Sequence, residues 1–407
     1  MKYVFSFLFS CTVLFSVAQT SIKSIQLKPL TQKNTSNILI LPLGSAFELS
    51  FDDLKVDQQD YYYKLEHMTY DWKPSNIFPN EYIEGFQENA ITTIENSFNT
   101  LQNYTHHRVQ FPNSNTRITK SGNYLLSVLD DDYDVVFTRR FTLYQNKTTV
   151  GARVIRSRNT LTRNQKQTVH FNINYDENSV QNPTQELRVV VLQNDNWTTA
   201  VSDLTPQYFK RNQLVYNYVG KPEFWSGNEY LNFDNKQIRN STVQIASVEQ
   251  QEIFHSYLHT QDRRNNKPYT YFPDINGQFV IRTIEGANTS SEADYAQVHF
   301  SLTSINPIEK EVHIYGAFNN FKMTPETKMT FNSSTQNYEA SILLKQGFYN
   351  YTFATKEDNE KANLHELNGS FFQTENEYKV IVYQKAFGQN YFQAIGLGIA
   401  VANPQDK

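Results

Sequence analysis

The sequence predicts an all-β protein, built as tandem immunoglobulin-like or early-set β-sandwich domains after a signal peptide. Three observations carry that expectation. Aromatic residues make up 14% of the chain, mostly Tyr and Phe, residue types that suit pleated, half-buried surfaces. Short stretches alternate apolar and polar residues and end at turn residues. At 407 residues the chain is long enough for two or three separate cores. With 14 Gly and 13 Pro it is not a low-complexity chain.

The first residues read as an export signal. Lys2 supplies a positive start, Tyr3 to Val17 is almost wholly apolar, and Ser16-Val17-Ala18 offers small residues for cleavage. Cleavage after Ala18 leaves Gln19 as the new terminus. Such a run is short for a membrane span. Leu8-Phe9-Ser10-Cys11 loosely resembles a lipobox, which leaves lipidation at Cys11 as a second route. Cys11 is the one cysteine of the chain. Once it is removed, disulfides, thiolate nucleophiles and cysteine metal sites are excluded. A formal charge of −4 and no basic stripe argue against a nucleic-acid partner.

The expected first unit covers 19–148. Residues 22–30 form a lead strand and Asn37 to Leu43 an apolar one. Phe47, Leu49 and Phe51 share one face of the next strand, which Asp52-Asp53 closes ahead of a polar loop. Tyr61, Tyr63 and Leu65 share a face of the strand after it, and Asp71-Trp72-Lys73-Pro74-Ser75 makes an aromatic corner. His106 to Phe111 is a strand stopped by Pro112, Ser121-Gly122-Asn123 a turn, and Asp130 to Asp134 a charged hairpin tip before Val135–Tyr144. Roughly eight strands at this spacing indicate a sandwich.

The expected second unit, 149–306, holds strands at Ala152–Ser157, Thr168–Asn174 and Glu186–Gln193. The run Val189–Leu192 is apolar throughout, as a strand covered on both faces requires. Leu214–Val219, Phe254–His259, Phe279–Thr283 and Ala296–Leu302 complete it, with an inserted arm around 220–275. The expected third unit, 307–407, starts with Val312-His-Ile-Tyr-Gly-Ala-Phe-Asn-Asn-Phe321 and continues to a turn at Gln346-Gly347. Its strand, Gly-x-Phe-Asn and Lys-x-Gly-x-Tyr-x-Tyr hairpin resemble the early-set immunoglobulin-like domains found beside glycogen- and starch-acting enzymes. That likeness speaks to fold more than to sugar binding.

No reaction centre emerges. The adjacent His106 and His107 point to opposite faces of a strand and cannot chelate one ion. His255 and His259 would stand about 13 Å apart in a strand, too far for a shared metal. Asp274-Ile-Asn276-Gly277 with Glu285 has EF-hand spacing, but Phe279 occupies the position that needs Gly. A hairpin turn explains it better. Asp130–Asp134 could attract calcium, though a hairpin tip accounts for it too. There is no GxSxG, HExxH or phosphate-binding glycine loop. The pairs Asp52/Asp53 and Glu81/Glu84 could serve glycoside hydrolysis only at a spacing that sequence does not supply. Sequons at Asn103 and Asn196 follow from composition. Trp72, Trp197 and Trp225 could stack sugars, but each adjoins a turn, where rings commonly cap a core. The expectation is therefore no catalytic, cofactor-binding or metal residue, and no cofactor.

A set of motifs, in order along the chain, resembles the plug proteins of the Bacteroidota type IX secretion system. They start with Phe51-Asp52-Asp53-Leu54, the Tyr-rich strand into His67, Asp71-Trp72, and Glu81 through Phe86. Ser121–Tyr124, Arg139-Arg140-Phe141, Val189–Trp197 and Gly227–Tyr230 follow. Asp274–Gly277, Asp294–Val298, Leu344–Tyr351 and Thr374–Tyr378 close the series. Met68 and Phe392-Gln393 depart from the family pattern. The resemblance implies a non-enzymatic periplasmic plug, peripheral to the inner face of the outer membrane. It would seal the inner mouth of the large outer-membrane β-barrel translocon of type IX protein secretion, with a role in gliding motility. It implies no nucleic-acid partner and no small-molecule substrate. A carbohydrate-binding or cell-envelope adhesion protein, with a glycan-module-like C-terminal domain, is the other reading.

Overall fold

The computed structural model describes residues 21–30, 36–55 and 58–402. The expected signal peptide, its Ala18 cleavage point and Cys11 lie outside them. Strands dominate, and helices are single turns such as Pro79–Tyr82 and Pro183–Glu186. The chain is a series of β-sandwiches, as its alternation indicates.

The N-terminal sandwich packs two sheets. Ile22–Pro29, Phe47–Asp53, Thr105–Phe111 and Thr93–Asn96 form one sheet. Facing it are Val135–Tyr144, Gly122–Leu129, Tyr62–Met68 and Glu88–Ala90. Phe47, Leu49, Phe51, Tyr61, Tyr63 and Leu65 all enter this core, because period-two alternation sends them to one side. The expected apolar strand at Asn37–Leu43 shrinks to Ile40–Pro42. Asn37 instead hydrogen-bonds outside the sandwich, its amide N–H donating to Gln278 Oε1 at 3.0 Å.

The remaining sheets group the strands differently from the expected units. The middle sandwich faces Thr149–Arg156, Lys166–Asn174 and Gln213–Tyr216 against Leu187–Gln193, Asn376–Gln384 and Gln393–Ala402. Leu187–Gln193 pairs in full register with Tyr378–Gln384, so the last two strands, expected in the third unit, complete the second. The third sandwich is threaded between them. Its sheets are Leu231–Asp234, Gly347–Lys356, Phe279–Ile281 and Val312–Tyr315, against Ile245–Gln250, Phe254–Leu258, Tyr295–Thr303, Asn337–Lys345 and Thr330–Asn332. The expected arm at 220–275 dissolves into this arrangement, since Glu223–Trp225 pairs with Lys166–Thr168 and Leu231–Asp234 with Phe348–Tyr351. Local alternation marks each strand but carries no information on its partner.

Two expected hairpins are absent. Asn337–Lys345 and Gly347–Lys356 belong to opposite sheets. Gln346 between them is buried and bonded to Asp294 N and Lys236 O. A Cβ on Gly347 would lie 2.5 Å from the Val280 carbonyl oxygen, so only Gly fits at this change of sheet. At Asp274–Gly277 the left-handed Asn276 and Gly277 do make a turn (φ 53° and 78°). It leads into Phe279–Ile281 with no strand before it.

Val189–Leu192 is covered on both faces as expected. Val189 and Val191 enter the sandwich core, while Val190 and Leu192 join Ile40, Ile381 and Tyr383 on the other side. This second face lies where the N-terminal and middle sandwiches share a nine-stranded sheet. The strands meet in parallel at Tyr144 and Ala394.

Candidate functional site

The candidate chemical residues are dispersed. His106 and His107 do take opposite faces: His106 reaches Asp52, and His107 stacks on Phe51 at 5.1 Å. Asp130–Asp134 is a hairpin tip in which Asp134 N donates to Asp130 Oδ1 at 2.8 Å. Glu81 caps its own helical turn through Phe78 N, and Glu84 pairs with Arg117. Asp274 accepts from the amides of Tyr230 and Asn276, whereas Glu285 accepts from Gln346. The two acids share no site. Asn196 is buried and donates to Tyr315 Oη at 3.0 Å. Among the described residues no group of three His, Cys, Asp or Glu could hold a metal ion.

What the fold does concentrate is buried charge at the seams between sandwiches. Asp52 and Asp53 close their strand as expected, and both are buried. Tyr61 Oη donates to Asp53 at 2.8 Å. Asp52 accepts from His106 Nδ1 at 2.6 Å within its own sandwich. From the third sandwich it accepts from Tyr295 Oη at 2.6 Å and Lys345 Nζ at 2.7 Å. Burial opposes ionisation, but Lys345 and His106 outweigh it and hold the Asp52 carboxyl below the usual range. Lys345 Nζ also donates to Ser290 O at 2.7 Å and sits 4.0 Å over the Tyr104 ring. Its ammonium thereby meets two oxygens and a ring face, although burial still lowers its pKa.

A second seam ties all three sandwiches. Asn194 and Asp195 both take left-handed φ (52° and 58°) in the two-residue turn of the Gln193–Asn196 hairpin. Asp195 accepts from Lys379 Nζ at 2.6 and 2.8 Å and from Ser36 Oγ at 2.9 Å. The adjoining Asn37 donates from Nδ2 to Phe279 O at 3.2 Å. Burial would lower the Lys379 pKa, yet Asp195 and Glu377 outweigh it and raise it. Nearby, Trp72 and Trp197 meet edge to face at 4.7 Å, with the Arg140 guanidinium 4.7 Å over Trp72. Both rings are half-buried packing at the seam, whereas Trp225 is exposed and stacks on His365 at 3.9 Å.

The turn at Ser121–Asn123 closes a third contact. A Cβ on Gly122 (φ 149°) would come within 2.3 Å of His67 Nε2 and 3.1 Å of Phe392 O. Burial pushes His67 down to about 4, so the ring is neutral and bridges Ser75 Oγ and Ser121 O.

At the two places where the chain passes between the middle and third sandwiches, 226–230 and 368–376, a different cluster forms. Glu229 accepts from Tyr269 Oη and from Glu375 N, but its Oε2 is buried without a partner among the described residues. Arg264 donates to the Glu229 backbone carbonyl at 2.8 Å rather than to the carboxylate. Desolvation, offset in part by Tyr269 and reinforced by Asp274, pushes Glu229 up to about 7. Burial likewise pushes Asp274 up to about 6.

Lys345, Lys379, Asp195 and Glu229 escaped the sequence reading as functional residues. The available signal was a lone charge at the end of or inside an apolar run, as in Ser341-Ile-Leu-Leu-Lys345 and Glu377-Tyr-Lys-Val-Ile-Val382.

Comparison with known proteins assigns this architecture. Residues 22–145 match the model of the type 9 secretion system plug protein first domain. The N-terminal sandwich is thus similar to the first domain of type IX secretion plug proteins. That match spans the whole N-terminal sandwich, including the Asp52, His67 and Gly122 features. A solved structure similar to the entire chain is a hypothetical protein from Parabacteroides merdae, 29% identical, with a TM-score of 0.88. The likeness covers 94% of this chain and 98% of that one, so the threading of the third sandwich into the second is part of a shared fold. No curated protein matches. Among the described residues no helix is long and apolar enough to cross a membrane.

Proposed function

We propose that this plug-family protein is a non-enzymatic stopper on the periplasmic side of the outer membrane, closing the inner mouth of the large β-barrel translocon of type IX secretion. The family match supports the secretion role. The observation that favours a stopper is the way three sandwiches are fastened to one another. A shared sheet, the Asp52–Lys345 pair and the Asp195–Lys379–Ser36 junction each cross a seam. A pore wide enough for folded cargo leaks unless its occupant holds one shape. Buried, paired charges resist sliding at a seam because a displaced partner leaves an uncompensated ion.

Tagged protein purified from outer membranes should bring down a very large β-barrel. Cells lacking the protein should leak periplasmic proteins, and only while that barrel is present. If no barrel co-purifies and the deletion leaves permeability unchanged, the proposal is wrong.

A further inference from the structure

The third sandwich turns one face of a five-stranded sheet to solvent, and that face is unusual in its chemistry. Alternation sends Phe254, Val298, Phe300 and Ile342 into the core, so the intervening residues point outward. Register aligns Tyr257, His299 and Ser341 in one outward row, and Ser301, Glu339 and Thr330 in the next. A groove of about 870 Å³ runs over these rows.

One side of the groove is a ring wall. Tyr257 and His299 stack at 4.2 Å and 9° between planes. The wall is held from behind, because His299 Nε2 and His255 Nδ1 share a hydrogen bond at 2.9 Å and Tyr257 Oη donates to Glu249 at 3.2 Å. By contrast, the side chains of Thr330, Asn337 and Ser341 along the groove make no hydrogen bond to any described residue. They are free to serve a ligand. Among the described residues no Lys or Arg lines the groove. A soluble surface usually mixes both charges, and an anionic ligand would need cations.

A second cleft, of about 420 Å³, lies beside Trp225 and His365. It is rich in amides, but those amides are spent on the fold. Asn194 donates to Asn376, Asn228 to the Asn368 carbonyl and Asn363 to Glu357. That cleft offers a ligand few unused groups.

The geometry points to a neutral-glycan site on the outer sheet face of the third sandwich, with the Tyr257–His299 wall packing against sugar C–H faces and Thr330, Asn337 and Ser341 bonding hydroxyls. The strand of Tyr257 lies three spacings from that of Thr330, about 14 Å, which suits a short oligosaccharide better than one sugar. Apolar ring surface beside a few convergent polar groups is the general build of a ligand site. The inference is independent of the plug role: barrel recovery tests one, sugar binding the other.

Calorimetric titration of the full chain with maltoheptaose, cellohexaose and mannohexaose tests it, in low and high salt. At least one should bind with a salt-independent affinity. Tyr257→Ala and His299→Ala should each weaken it about tenfold, with Ser341→Val a smaller loss, while Trp225→Ala leaves it intact. Unchanged unfolding midpoints would show that the outward-facing variants still fold. The site is overturned if none of the three sugars binds, if binding survives both ring variants, or if Trp225→Ala removes it.

Discussion

Two seams of this molecule bury a carboxylate to similar depth and treat it in opposite ways. At the junction of the N-terminal and third sandwiches, Asp52 is 0% exposed and meets Lys345, His106 and Tyr295. At the crossing between the middle and third sandwiches, Glu229 is 1% exposed and one of its oxygens has no partner among the described residues. The nearby Arg264 spends its guanidinium on backbone and amide oxygens. The first carboxyl is therefore held low and the second pushed up. Burial depth does not set the charge state of a seam; the aim of the nearest cation does.

The difference has consequences for pH. A depressed carboxyl contributes stability above its unfolded pKa and loses it as pH falls through the folded value. Asp52 thus favours folding at neutral pH and withdraws that support in acid. Glu229 has the reverse sign. Its raised folded pKa gives a contribution present below the ordinary value of 4.5 and lost as pH rises through about 7. The protein should be most stable on the acid side of neutrality, with the Asp52 seam failing first in acid and the Glu229 crossing loosening first in base.

The largest expected effect breaks the compensated seam. Asp52→Ala leaves Lys345 buried without its counter-ion and should cost about 3–5 kcal/mol in denaturant unfolding at pH 7. The comparison sharpens if the cation is removed as well. Asp52→Asn combined with Lys345→Met should lose much less than the sum of the two single changes; strict additivity would mean that the pair is not coupled.

At the other seam the expected sign is stabilising. Glu229→Gln should raise stability at pH 8 by roughly 2–3 kcal/mol and do little at pH 5, flattening the pH profile between them. A variant less stable than the parent at pH 8 would mean that the ionised carboxylate is welcome there. The smallest expected effect concerns packing without buried charge. Trp72 is half-buried, and Trp72→Ala removes one edge-to-face contact and one cation–ring contact. A loss of about 1–2 kcal/mol should follow, below that of Asp52→Ala. A larger loss would make the ring seam the stronger fastening.

Sequence alone determined the strand-by-strand character of this protein, since period-two alternation is written in neighbouring residues. Phe47, Leu49 and Phe51 announce a buried face, and Val189–Leu192 announces two. The motifs from Phe51 to Phe141 likewise announced the likeness to plug proteins that residues 22–145 carry. What the tertiary structure decided is which strands pair and which charges meet. Asn376–Gln384 lies more than 180 residues from its partner Leu187–Gln193, and Asp52 lies 293 residues from Lys345. Both partnerships are fixed by packing across sheets. Alternation tells a strand which face to bury but not against what, and a lone Asp, Lys or Glu has no local sign of whether burial will bring it a counter-charge.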